Sequence, residues 1–482
     1  MTPFSFALSA VGLSPHIHAR GSRAAPIEGP MSAPNIVTPL LPSNHAAARA
    51  NSKVSLPGYN ATELYSGFFN IDEATGSNTY FMFSTARSGR KDAPVVLWLN
   101  GGPGASSLLG FYDELGPFGI DANMEIVLRD VAWSNSVHLL ALDNPLGVGY
   151  STTQSLERMA TNQTTVGADL YEALRQFFEL FPDLRANPFY ATGESYAGKY
   201  VPAAAYTIHQ RNMAVAPAQR INLQGLAIGD GAFDPPTQFT GFGSLLFNIG
   251  LADTCAKAVY EEYDRNFTAR LAAGDRRGAF RSFDEMLNGD YYGSSRTFYA
   301  NTSGMDSNYF NFAEEPGAAS LTKRTFPEWL ATPAVASALH VGAVPFSVFN
   351  QTVEDRLLDD WVVGVVPWLE TLLEHYNVLI YSGQYDVILG PPGTMRALDK
   401  LQWSGAEAYA KAPTRQFYSD SEPTDLAGYS RLVHSAATNT TFAYVMLRGC
   451  GHMVPTDQPR RAYEMIRDFL IKDMAPLPPP PS

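Results

Sequence analysis

The chain has 482 residues, 45% hydrophobic and 17% charged, enough to bury a sizeable core as one large domain or two to four average ones. Its formal net charge of −13, with no long basic run, argues against nucleic acid and anionic membranes as main partners. Two cysteines, Cys255 and Cys450, exclude a disulfide scaffold and a CxxC metal or redox motif, and no apolar run reaches the roughly 18 residues of a membrane helix.

Residues 1–50 carry no clear strand or helix period and read as a leader or disordered segment. Within them, Phe4 to Leu13 has the apolarity of a signal peptide but lacks a positive n-region, so a cleaved signal and a plain leader both stay open. From about residue 57 strands begin. Tyr65–Ile71 and Asn78–Ser84 flank a glycine-containing turn, which predicts an antiparallel hairpin. Val95–Leu99 and Val137–Leu142 are continuous apolar runs, the pattern of strands covered on both faces. His138 lies inside the second run and reads as a core histidine.

Thr165–Phe181 has apolar residues at helical spacing and stops at Pro182. Strands follow at 187–192 and Ile221–Ile228. They resume at Val378–Tyr381 and Thr441–Leu447, and Arg460–Ile471 reads as the last helix. Alternating strands and helices imply an α/β fold with a mainly parallel central sheet. Between about 236 and 340 the alternation breaks into short helical stretches, read as a cap inserted between core parts 51–235 and 341–474. Residues 475–482 read as an extended Pro-rich tail.

Tyr190-Ala-Thr-Gly-Glu-Ser-Tyr-Ala-Gly runs a strand into a sharp turn before a helix, with Ser195 at the bend. That arrangement is a nucleophile elbow, although the glycine expected two residues after the serine is here Ala197. A serine hydroxyl needs a base, and the base an orienting carboxylate. His16, His18 and His45 lie in the leader, His209 and His375 on helical stretches, and His340 and His434 in loops. His452 instead follows a strand among small residues, and Asp386 follows another. The order Ser195, Asp386, His452 is that of α/β-hydrolases. An oxyanion hole needs two backbone N–H donors, for which Tyr196 and Gly102, in the loop Asn100-Gly-Gly-Pro-Gly, are the candidates.

Trp98-Leu-Asn-Gly-Gly-Pro-Gly, Glu114-Leu-Gly-Pro, Gly193-Glu-Ser-Tyr-Ala-Gly-Lys-Tyr-Val-Pro and Gly451-His-Met-Val-Pro closely resemble the serine carboxypeptidases, in order from about Tyr59 to Ile471. Tyr381-Ser-Gly-Gln-Tyr-Asp, with Pro367-Trp-Leu before it, looks most like the vitellogenic-like branch. The resemblance implies an α/β-hydrolase fold with an N-terminal hairpin and an inserted cap. It implies a serine-type carboxypeptidase acting on peptide and protein C-termini, favoured at acidic pH, as a monomer or homodimer without cofactor or metal. It assigns Asn100, Gly101 and Glu194 to the substrate's terminal carboxylate, Glu114 to a hydrogen bond with Glu194, and Met453 to the pocket for the leaving amino acid. The family's glycine loop usually carries a disulfide-bonded cysteine where this chain has Ala105, and its cap normally holds further disulfides. Acyl transfer on the same scaffold and a non-enzymatic binding role are the rival readings. Six sequons, at Asn60, Asn162, Asn266, Asn301, Asn350 and Asn439, point to a glycoprotein that is secreted or vacuolar/lysosomal.

Overall fold

Every residue of Val95–Leu99 is buried, and its alternation divides two cores. Val95, Leu97 and Leu99 pack with Leu170, Leu174 and Phe177, whereas Val96 and Trp98 pack with Trp133, Met465 and Phe469. A strand apolar at consecutive positions is therefore one buried on both faces. The computed structural model describes residues 33–292, 296–305, 310–314, 324–420 and 424–471.

The strands are β1 Lys53–Val54, β2 Leu64–Asp72, β3 Ser77–Ser84, β4 Val95–Leu99, β5 Phe118–Ile120, β6 Ile126–Leu128, β7 His138–Leu142, β8 Phe189–Glu194, β9 Leu223–Gly229, β10 Asn377–Gly383, β11 Arg415–Tyr418, β12 Leu426–Ser435 and β13 Thr440–Leu447. Eleven of them form one sheet in the order β1-β2-β3-β7-β4-β8-β9-β10-β13-β12-β11, and β5 and β6 pair separately. Strands β7, β4, β8, β9, β10 and β13 run parallel at its centre. Antiparallel pairs flank them on both sides, the hairpin β2–β3 on one and β12–β13 on the other. Helices Gln163–Leu180 and Ala197–Ala214 cover one face, and Pro459–Ile471 packs on the other. Asn162 caps the first of these, its side chain accepting from Thr165 N–H at 3.0 Å.

The structure corrects several expectations. Residues 33–50 are part of the folded body: Val37 and Ala48 are fully buried, and a helix spans Leu41–Asn51. Its Arg49 pairs with Asp183, and the preceding Thr38 hydroxyl bonds Gln176, so the segment is pinned to the surface of helix Gln163–Leu180 and the turn that follows it. His45 therefore sits in this helix. The proposed signal stretch Phe4–Leu13 and the tail 475–482 lie outside the described residues. The inserted segment contains more than short helical pieces, since Thr254–Ala272 forms a 19-residue helix capped by Asp253. His434 belongs to β12, not to a loop, and bonds Thr441 Oγ1 through Nδ1. His375 follows the helix Val366–Leu373 in a turn and stacks on His209. His138 is a core residue, its Nδ1 accepting the Ala86 N–H at 3.1 Å.

The carboxyl ends of the central strands lie along one edge of the sheet, which is where α/β folds place their sites. That edge carries Asn100 after β4, Asp143 after β7, Ser195 after β8, Asp230 after β9, Asp386 after β10 and His452 after β13. Part of the insertion lies across it. Phe310 O accepts the His452 N–H at 2.5 Å, Phe312 N–H donates to Tyr385 O at 3.1 Å, and Asn311 Nδ2 donates to Asp457 at 2.8 Å.

Candidate active site

Ser195 has a φ of 63°, the left-handed backbone of a sharp bend between β8 and helix Ala197–Ala214. Its N–H is held by Gly229 O at 3.1 Å, and its carbonyl accepts from Gly198 and Ala232. Small neighbours make the turn possible. A Cβ on Gly193 would lie 2.5 Å from Leu99 O and 2.9 Å from the Ala197 Cβ, so both positions must stay small. Ala197 thus serves where glycine was expected, and Gly198 meets the backbone of Gly231–Ala232 directly behind it.

His452 and Asp386 are buried, with 3% and 0% exposure, and His452 Nδ1 lies 2.9 Å from Asp386 Oδ2. The loops that bring them together are locked to each other. Tyr385 N–H donates to Cys450 O at 2.8 Å, and Gly451 N–H donates to Asp457 Oδ2 at 2.7 Å. His452 Nε2, the nitrogen a general base needs free, is buried and has no hydrogen-bond partner among the described residues. Ser195 is tied to the neighbouring strand β9, where Gly229, whose carbonyl accepts the Ser195 N–H, precedes Asp230. One carboxylate oxygen of Asp230, one of Asp386 and a ring nitrogen of His452 lie within 4.8 Å of one another. That spacing suits a cation as well as a hydrogen-bonded network, but the 2.9 Å contact is a His–carboxylate hydrogen bond.

The glycine loop packs onto the elbow. A Cβ on Gly101 would lie 2.4 Å from Tyr196 N, so only glycine allows this approach. Gly102 follows with a φ of 105°. Among the described residues, no turn, loop or cap backbone hydrogen bond uses the N–H of Gly102 or Tyr196. Asp143 anchors the loop: it accepts from Ser106 Oγ at 2.5 Å, Ser107 N–H at 3.1 Å and Tyr150 N–H at 2.8 Å. Burial pushes its carboxyl up to about 6. At Ala105 the loop pairs with Phe349 as a backbone bridge, flanked by Ser106 N–H to Val348 O and Asn350 N–H to Gly104 O.

Asn100, Glu114 and Glu194 meet beside the elbow, all at most 4% exposed. Asn100 Nδ2 donates to Glu114 Oε1 at 3.1 Å and Glu194 Oε1 at 3.0 Å, while its Oδ1 accepts from Trp98 Nε1 and Gly110 N–H. Burial, then the Glu114 charge, hold the Glu194 carboxyl well above the usual range; burial also raises Glu114. Met453 is half-buried and contacts Arg324 Nη2 through Sδ at 3.5 Å, and Arg324 also pairs with Asp113.

Arg324, Asp113, Asp457 and Asp230 escaped the sequence reading. The first three sit in no recognisable motif. Asp230 left a faint signal in the turn Gly229-Asp-Gly at a strand end. Cys450 is buried and Cys255 exposed, and both are free thiols. Of the sequons, Asn60, Asn162, Asn266, Asn301 and Asn439 are exposed. Asn350 is corrected as a glycan candidate: its Nδ2, the atom a glycan would take, donates to Gly147 O at 2.7 Å.

The sequence profile of a family described as serine carboxypeptidase matches residues 56–472. A probable serine carboxypeptidase CPVL of Mus musculus is 39% identical over 418 residues, 86% of this chain and 84% of that one. A vitellogenic carboxypeptidase of Aedes aegypti is 37% identical over 459 residues, 94% of this chain and 93% of that one. The crystal structure of KEX1(delta)p, a prohormone-processing carboxypeptidase from Saccharomyces cerevisiae, superposes with a TM-score of 0.76 at 22% identity. It covers 90% of this chain and 98% of its own, and it shares the α/β-hydrolase fold.

Proposed function

The chain belongs to the serine carboxypeptidase family, a family of hydrolases acting on peptide C-termini, and from that premise we propose that Ser195, Asp386 and His452 carry the reaction. The observation that carries this reading is the buried 2.9 Å His452–Asp386 hydrogen bond, at the same sheet edge as a serine held in the left-handed bend of an elbow.

His452 Nε2 accepts the Ser195 proton as Oγ attacks the last peptide carbonyl, and Asp386 fixes the Nδ1–H tautomer. The Gly102 and Tyr196 N–H groups take the charge that develops on the carbonyl oxygen. His452 then protonates the departing amino acid, and water, deprotonated by the same nitrogen, hydrolyses the acyl-enzyme. Asn100, Gly101 and Glu194 receive the free terminal carboxylate, with Glu194 donating as a neutral acid beside Glu114. Met453 borders the departing residue. Because Glu194 must keep its proton to do so, activity favours acidic pH. Five exposed sequons support a secreted or vacuolar/lysosomal glycoprotein. Among the described residues no helix is long and apolar enough to cross a membrane.

The test is hydrolysis of N-blocked dipeptides at pH 5 by wild type and Ser195→Ala. Release of the C-terminal amino acid is expected from the wild type alone, and undiminished release by the variant rejects the assignment.

A further inference from the structure

Asp230 sits where β9 ends, and the mechanism above gives it no task. It is 1% exposed and non-glycine, yet its φ is 41°, a backbone an L-residue adopts only under local constraint. Two bonds to β10 impose that conformation: Asp230 N–H donates to Tyr381 O at 2.8 Å, and Oδ1 accepts the Gly383 N–H at 2.8 Å. Its other oxygen, Oδ2, is buried without a hydrogen-bond partner among the described residues. The Asp230 carboxyl, the Asp386 carboxyl and the His452 ring present atoms within 4.8 Å of one another.

Two buried carboxyls this close do not both ionise. Asp386 is the one that must, because Oδ2 holds His452 Nδ1 at 2.9 Å, while its Oδ1 lies 3.3 Å from the Leu389 N–H. We propose that Asp230 is a positioning residue of the triad, a neutral carboxylic acid that donates its proton in a hydrogen bond to the Asp386 carboxylate. This rests on the catalytic assignment of Ser195, Asp386 and His452.

The titratable groups that face Asp230 support the neutral form. They are Asp386 after β10, Glu194 at the end of β8, Tyr381 on β10, Tyr444 on β13, and Cys450 and His452 after β13. Burial and then the Asp386 charge hold the Asp230 carboxyl well above its usual range. Asp230 thus fixes the Asp386 rotamer, and through it the orientation of the His452 ring, without touching substrate.

The experiment compares Asp230→Asn, Asp230→Ala and Asp230→Gly by kcat and KM from pH 4 to 8. Asparagine keeps both an acceptor for Gly383 and a donor for Asp386, and it tolerates a left-handed backbone. Its kcat is expected within about threefold of wild type at every pH tested. Alanine and glycine lose the donor, and glycine does so without backbone strain. Both are expected to lose tenfold or more in kcat at pH 5 and to keep KM. A fluorophosphonate probe tests Ser195 separately, so loss of labelling only in Ser195→Ala distinguishes a failed triad assignment from a failed role for Asp230. The proposal is overturned if the asparagine and glycine variants behave alike, or if all profiles superimpose. Loss of wild-type activity in chelator, restored by a divalent cation, also overturns it, since Asp230 would then be a ligand.

Discussion

A carboxyl that donates a hydrogen bond to an anion has to keep its proton, and two features of Glu194 favour this. It is buried, and it shares the Asn100 amide nitrogen with a second carboxyl. With Glu194 in the proposed role, binding of a free C-terminus is expected to be strongest below its raised pKa and to fade as pH climbs through it. For N-blocked dipeptide acids, KM is therefore expected to rise several-fold between pH 5 and 8, with kcat changing less. Glu194→Gln, a donor at every pH, should flatten that rise, and C-terminal amides should not show it; steady-state kinetics on both substrate types checks the point. A flat wild-type KM would remove Glu194 from this role. At this scale the candidate site was legible wherever its residues fall in contiguous letters. Asn100, Ser195 and His452 each sit in short glycine-rich strings because the backbone there must turn tightly or approach another loop closely. Arg324 and Asp113 were unreadable, because their meaning is a contact 211 positions apart in the chain.

Between elements, the elbow is held by a buried network that joins three helical segments. Lys199, fully buried, donates to Asp360 Oδ2 at 3.0 Å and to two backbone carbonyls. The same carboxylate oxygen accepts from Tyr196 OH at 2.7 Å and Gln163 Nε2 at 2.6 Å. Burial lowers the Lys199 ammonium to about 8, and the Asp360 charge works against that fall. Removing one partner strands the other, so Asp360→Ala is expected to cost about 3–5 kcal/mol, read as a lower midpoint in urea. Lys199→Met combined with Asp360→Leu should recover part of the loss, because the desolvation penalty leaves with the pair. A double variant less stable than Asp360→Ala would contradict this account. The elements themselves were unevenly legible. Central strands such as β4 and β7 announced themselves as unbroken apolar runs because both faces are covered. Strands β11 and β12 did not: β11 forms the edge, and Leu426–Ser435 mixes glycine, serine, arginine and histidine because much of it is only partly buried. The helix Leu41–Asn51 was hidden by its proline, serine and asparagine, and only its alanine run hinted at helix.

Taken whole, the molecule is one large sheet with an apolar core on each face and an insertion lying across the edge that carries the proposed catalytic residues. Its general plan was visible in the alternation of strand and helix. The insertion was not, because its placement rests on scattered contacts such as Phe310 to His452 and Asn311 to Asp457 rather than on any periodic pattern. The most telling substitution is the loop at Ala105, which is tied to Val348–Asn350 by main-chain pairing, in a chain whose two thiols stand apart, one exposed and one buried. No covalent link therefore depends on the redox poise of the surroundings. The enzyme is expected to tolerate millimolar dithiothreitol with full activity. Ellman's reagent should find one thiol in the native protein and a second only after unfolding. Loss of activity under reductant would mean that its architecture relies on a bond this fold has dispensed with.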